Sequence, residues 1–247
     1  MMLRVENVSK AFGGLRALSG VTFEAPQGTI MGLIGPNGAG KTTLFNIING
    51  VYPADAGRVT FRGGEITGLA PYRVARLGLA RTHQVVRPLS DLTVLENAML
   101  GACFGREHHS IASARGVAFD ALALVGLAAR AQQAAGTLNL SEKKRLELAR
   151  ALAARPYLIL LDEVLAGLNP SEVTRMLQIV RGIRDGGVTI LLIEHVMQAV
   201  MSISDRVVVL ESGRIIAEGT PQEVVTDPLV MEAYLGDPKL AEQMMEL

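Results

Sequence analysis

The chain has 247 residues, 49% hydrophobic and 4% aromatic, with 24 Lys plus Arg against 24 Asp plus Glu. That length buries a sizeable core and suits one large domain, or one domain carrying an inserted subdomain. Zero net charge and the lack of Trp argue against a surface that gathers or stacks nucleic acid, and the single cysteine, Cys103, permits no internal disulfide.

The first residues, Met1 to Glu6, lack the charged-then-apolar start of a signal peptide. The apolar runs, such as Val188 to Ile193, fall far short of the ~18 residues that span a bilayer. A soluble chain in a reducing compartment is expected. Its high apolar content fits either an Ala/Val/Leu-rich α/β core or an apolar surface covered by a partner.

In chain order, Leu3 to Val8, Val21 to Ala25 and Arg58 to Phe61 are β-rich and separated by Gly-rich turns, which predicts an antiparallel flank. Between them, Thr29 to Ile34 is a buried-strand pattern, and Thr42 to Asn49 is helical. The join is Gly35-Pro36-Asn37-Gly38-Ala39-Gly40-Lys41-Thr42-Thr43, a P-loop. Glycine there lets backbone N–H groups curl round a phosphate, and the helix N-terminus faces the anion. Lys41 can then reach the β- and γ-phosphates, and the Thr42 hydroxyl can reach Mg²⁺.

From Leu92 the character changes. Thr93 to Cys103, Arg115 to Val125 and Glu142 to Ala154 show helical spacing of Ala and Leu. After them come strand Tyr157 to Asp162, helix Ser171 to Arg184, strand Val188 to Ile193, a helix beyond His195, and strand Arg206 to Glu211. Continuous apolar strands alternating with helices predict a parallel sheet covered on both faces. The expected fold is α/β, a P-loop NTPase core with an antiparallel β flank and an inserted helical subdomain. The core takes residues 1–88 and 157–247, and the insertion takes 89–156.

Leu158-Ile-Leu-Leu-Asp162-Glu163 is a Walker B strand. Asp162 is expected beside the metal held by Thr42, and Glu163 beyond it, where an attacking water lies. His195 closes the next strand and can donate to the γ-phosphate and that water. Gln84, where core gives way to insertion, can ligand Mg²⁺ through its amide oxygen. Cys103 is expected to be a small core hydrophobe, and the pair His108-His109 lacks the neighbours of a metal site.

The order of P-loop, Gln84, a short segment before Arg145-Leu-Glu-Leu-Ala-Arg150, Walker B, the turn Ala166-Gly-Leu-Asn169 and His195 resembles the ATPase subunit of an ABC transporter over nearly the whole chain. Phe12-Gly-Gly-Leu-Arg-Ala-Leu18, Thr93-Val-Leu-Glu-Asn97, Ala166-Gly-Leu-Asn-Pro170 and the tail from Glu218 to Gly236 are most similar to the ATPases of branched-chain amino acid importers, with an exporter ATPase of lipid or lipopolysaccharide type, or a soluble ABC ATPase acting on nucleic acid, as the alternatives. The resemblance implies ATP and Mg²⁺ as cofactors. It implies a second ATPase subunit, two transmembrane permease subunits and, indirectly, a binding protein as partners, and a peripheral place on the cytoplasmic face of the inner membrane. It implies hydrolysis by Glu163, His195 and Lys41, with Thr42, Gln84 and Asp162 as metal residues, and adenine stacked on Phe12, which a core position would otherwise explain.

The family's Leu-Ser-Gly-Gly-Gln signature aligns with Leu138-Asn139-Leu140-Ser141-Glu142. By resemblance Asn139, Ser141 and Glu142 face the γ-phosphate bound on the second subunit, and Asn139 can still donate through its amide. Leu140 and Ser141 carry Cβ atoms where the family has glycine, so slow or strongly partner-dependent hydrolysis is expected. The groove near Gln84 to Leu100, with Val85, Val86, Leu89 and Leu92, is expected to receive a permease helix.

Overall fold

The structure is a computed structural model and describes residues 1–235. Residues 236–247, Gly236 of the tail motif among them, lie outside it. The elements are β1 (Leu3–Phe12), β2 (Leu15–Ala25), β3 (Ile30–Ile34), α1 (Lys41–Ile48), β4 (Ala56–Phe61), β5 (Gly64–Glu65), α2 (Pro71–Arg76) and β6 (Leu79–Arg81). Helices α3 (Val94–Phe104), α4 (Ile111–Leu124) and α5 (Leu140–Ala153) follow. The chain then runs through β7 (Leu158–Asp162), α6 (Pro170–Asp185), β8 (Thr189–Ile193), α7 (Met197–Ile203), β9 (Arg206–Glu211), β10 (Arg214–Gly219), α8 (Pro221–Val225) and α9 (Pro228–Leu235).

The described residues form two sheets. The antiparallel one has the order β2-β1-β4-β5, and the other has the order β10-β9-β3-β8-β7-β6, parallel except for β10. Every residue of β3, β7 and β8 is buried, as strands covered on both faces must be. Alternate residues serve opposite layers. Leu158 and Leu160 pack with Phe23, Phe45 and Phe61 toward the antiparallel sheet, whereas Ile159 and Leu161 pack with Leu95, Leu122 and Leu148 toward the helices.

Helices α3, α4 and α5 contact one another, and their apolar faces belong to the same buried cluster as Ile159, Leu161 and Leu192. The helical stretch is therefore continuous with the sheet's core. Cys103 packs half-buried against that cluster. Helix α9, the last among the described residues, is fixed by Tyr234, buried against Ile34, Val207 and Val209.

The main differences from the sequence-based expectation are lengths. Strand β1 continues to Phe12 and β2 begins at Leu15, because the hairpin tip is mostly exposed and shows no apolar alternation. The short β5, β6, α2 and α8, with β10 and α9, are additional elements. What positions chemistry is the register: Asp162 pairs with Ile193, so Glu163 and Glu194 leave neighbouring strands together, beside the loop that follows β3.

Candidate active site

The P-loop joins the end of β3 to α1. Gly35 has φ 147°, and a Cβ there would lie 1.9 Å from the Leu210 carbonyl oxygen, so only glycine fits. Gly40, the N-cap of α1 at φ 107°, is pressed similarly against the Ala17 carbonyl, 2.6 Å from an added Cβ. The Lys41 ammonium donates to the Gly35 and Pro36 carbonyls at 2.6 and 3.0 Å. Burial holds its pKa below the usual lysine value, with Glu163 and Asp162 opposing that shift.

A cavity of about 490 Å³ opens over this loop, lined by Asn37, Gly38, Ala39, Gly40, Lys41, Thr42 and Thr43. Glu163, His195 and Phe12 line it too. Phe12 is 41% exposed and stands edge-on to Tyr52, with ring centroids 5.3 Å apart, so it is a cavity wall and not a core residue. Leu15, Arg16 and Ser212 also line the cavity. Sequence reasoning gave them no place in the site: Leu15 and Arg16 entered only as part of the stretch Phe12 to Leu18 that carries the family resemblance, and Ser212 lies in the turn between β9 and β10 with no pattern of its own.

At the end of β7, Asp162 is buried and its Oδ2 pairs with Arg81 Nη2 at 2.7 Å. Arg81 also donates to Asn46 Oδ1 of α1 at 2.6 Å. The second carboxylate oxygen, Oδ1, is buried with no hydrogen-bond partner among the described residues. Glu163 follows at φ 51°, left-handed for a residue with a Cβ. Its carboxylate is held between two side chains: His195 Nε2 lies 2.7 Å from Oε1, and Gln84 Nε2 donates to Oε2 at 2.6 Å. Thr42, Gln84 and Asp162 line a neighbouring cavity of about 400 Å³ together with Arg81, His83, Glu147 and Arg150. Burial raises the Glu147 carboxyl, which accepts the His83 N–H at 2.5 Å. Burial and the nearby Arg81 lower the His83 imidazole.

The signature segment lies elsewhere on the same chain. Asn139 is the N-cap of α5, with Oδ1 accepting the Glu142 N–H at 2.9 Å and Glu142 Oε2 accepting the Asn139 N–H at 3.1 Å. Glu142 also pairs with Arg130 at 2.9 Å. Ser141 and Glu142 are buried, Asn139 and Leu140 are exposed, and none of the four lines the P-loop cavity. Val85 and Leu89 are 63% and 49% exposed, while Val86 and Leu92 are half-buried. His109 pairs with Glu107 at 2.9 Å, and among the described residues no cluster of three or more His, Cys, Asp or Glu could hold a metal ion.

A P-loop and a carboxylate-capped strand in one cavity are the parts of a nucleotide triphosphatase. The family model described as ABC transporter matches residues 18–166. The chain belongs to the ABC transporter family. A second model, described as branched-chain amino acid ATP-binding cassette transporter, matches residues 214–239. Over 96% of its length this ABC ATPase is 38% identical to the high-affinity branched-chain amino acid transport ATP-binding protein BraF of Pseudomonas aeruginosa, covering 98% of that protein. It shows the same identity and coverage with LivG, of the same description, from Escherichia coli K12. A nucleotide-free ATP-binding cassette from an ABC transporter superposes with a TM-score of 0.86 at 34% identity, over 96% of this chain and 99% of that one. A cassette in its ADP conformation gives 0.86 at 35% identity, with the same coverage. As an ABC ATPase subunit the protein binds nucleotide and hydrolyses ATP, the activity that drives transport in this family.

Proposed function

We propose that this subunit powers an importer of branched-chain or related hydrophobic amino acids, working as an ATP-closed dimer of cassettes under two permease subunits. The observation that carries the catalytic part is the Glu163 carboxylate, fixed between His195 and Gln84 at the edge of the P-loop cavity. In this reading the γ-phosphate takes the place of the Gly35 and Pro36 carbonyls as the partner of Lys41. Glu163 polarises the water that attacks in line and takes up its proton. His195 steadies Glu163 and the γ-phosphate oxygens, and α1 directs its free N–H groups at the phosphates. Phe12 offers its face to the base, with weak preference for one purine over another.

Mg²⁺ fits the donors present. Asp162 Oδ1, buried and without a hydrogen-bond partner among the described residues, suits a cation, and Thr42 and Gln84 line the same cavity. When bound, the ion would neutralise phosphate charge. Asn139 and Ser141 serve the triphosphate on the other cassette, with the Asn139 amide nitrogen, which has no hydrogen bond among the described residues, as the donor, while Glu142 holds the cap, its carboxylate taken by the Asn139 N–H and Arg130. Breaking the γ-phosphate bond removes those contacts and opens the dimer.

Residues 89–156 act as the helical subdomain, and its groove, with exposed Val85 and Leu89, receives a permease helix. The named relatives and the C-terminal family match support branched-chain amino acids as cargo. No helix among the described residues is long and apolar enough to cross a membrane, which suits a peripheral subunit on the cytoplasmic face. A binding protein meets the permease, not this chain.

Glu163→Gln tests the mechanism. We expect hydrolysis to fall at least ~10²-fold, the usual contribution of a general base, while ATP converts the variant to a dimer on size exclusion. A variant that stays monomeric with ATP refutes the sandwich. For the cargo, the genes beside this one are read for a binding protein, which is then assayed for leucine, isoleucine and valine; failure to bind any of them overturns the branched-chain cargo, and the lack of such a protein overturns the import reading.

A further inference from the structure

The backbone of Glu163 is gripped on both sides of its Cα. Its N–H donates to the Ile193 carbonyl at 2.9 Å, and its carbonyl accepts from the Lys144 ammonium at 2.7 Å. Two residues on, the Leu165 N–H donates at 2.7 Å to Oε1 of the buried Glu194. Between these holds Glu163 keeps its left-handed φ of 51°, which a residue with a Cβ retains only when its surroundings impose it.

Lys144 is only 5% exposed and comes from α5, five residues after the cap Asn139. Among the described residues its ammonium bonds to that carbonyl, and the carboxylates around it are Glu194, Glu147 and Glu163. Burying an ammonium is costly, and a Leu or Met would fill the same space without that cost. What the ammonium adds is a fixed positive donor on the backbone of the residue proposed to polarise the water.

We propose that Lys144 is a positioning residue for ATP hydrolysis: it holds the Glu163 peptide, with Glu194 holding the Leu165 peptide beyond it, so that the Glu163 carboxylate stays aimed at the water. Because Lys144 stands on the helix whose N-terminus carries the signature segment, it also ties that segment to the catalytic turn of its own chain. A shift of α5 when Asn139 meets nucleotide on a second cassette then reaches Glu163 through one rigid helix. This last step rests on the dimer proposed above; the grip on Glu163 does not.

The test uses the full chain with Lys144→Met, which keeps the stem and removes the donor, and Lys144→Arg, which keeps a donor. Lys144→Met is expected to lower kcat about tenfold or more, since small misplacements of a reacting group can cost ~10²-fold, with the affinity for a fluorescent ATP analogue within about twofold of wild type. Lys144→Arg is expected to recover most of the loss. In a Glu163→Gln background Lys144→Met should change the residual rate little, because both act through one carboxylate. An unchanged kcat overturns the proposal. So does an equal fall of rate and nucleotide affinity without rescue by arginine, or a full tenfold loss on top of Glu163→Gln. Dimer formation is read separately by size, so failure of the sandwich is distinguishable from failure of the grip.

Discussion

Glu194 shows how one buried carboxyl can leave a mark on the whole chain's pH dependence. Burial pushes it up to about 7, with the Leu165 and His195 N–H groups and Lys144 opposing and Glu163 reinforcing the rise. Below its ordinary value of 4.5 the group is protonated in folded and unfolded chains alike, and nothing is lost. As pH climbs from there to 7 the unfolded chain releases the proton first, so stability falls through that window and the loss is complete above it. We expect wild type to lose on the order of 3 kcal/mol relative to Glu194→Gln between about pH 4.5 and about pH 8, at about 1.4 kcal/mol for each tenfold difference in proton affinity between the folded and unfolded chains. Denaturant unfolding of both proteins at several pH values measures it, and a difference that does not vary with pH refutes the assignment. Such a residue was not legible in the sequence, where Glu194 is only the neighbour of His195. Residues set by short-range geometry were legible: Gly35 and Gly40 by the loop they must make, and Lys41, Asp162, Glu163 and His195 by their places at strand and helix ends. Arg81 and Lys144 were not, because each is a single cation whose partner lies 81 and 19 residues away.

At the scale of elements, α5 carries the most unusual sequence and an ordinary solution to starting a helix. Asn139 and Glu142 close a reciprocal capping box, which satisfies two backbone N–H groups that a helix start leaves without partners. The segment that departs from the family's glycine-rich signature has thus kept a helix N-terminus able to face an anion. Asn139→Ala is expected to destabilise the chain by about 1 kcal/mol, and Asn139→Ser by much less, because the hydroxyl accepts the same N–H. Urea midpoints of the two variants check this, and equal midpoints would show that the cap contributes nothing. The long helices α3, α5 and α6 and the strands β3, β7 and β8 were legible because their apolar periods run for several turns or for a whole strand. The first half of β2, the two-residue β5 and the edge strand β10 were not, since their residues are mostly exposed or half-exposed and pairing alone defines them.

At the scale of the whole molecule, the signature segment does not line the P-loop cavity of its own chain, and in the dimer proposed above each site would be completed by the partner cassette's segment. Two variants separate the halves. Lys41→Met removes the phosphate contact on the binding side, and Leu140→Asp, at a position 48% exposed and hence tolerant of charge, sets an anion against the partner's γ-phosphate. Each variant alone forms dimers in which both sites are damaged. Mixed, they form dimers in which one site has both faults and the other has none. With random pairing half of the dimers are mixed and each has one intact site of two, so hydrolysis should return to about a quarter of wild type. Steady-state phosphate release from the separate and mixed proteins reads this out. Recovery near that level from two inactive parts supports a shared site, whereas a Leu140→Asp protein that hydrolyses at the wild-type rate by itself, with a mixture that only averages its parts, would mean that each chain hydrolyses alone, in which case Asn139 and Leu140 have no nucleotide to meet.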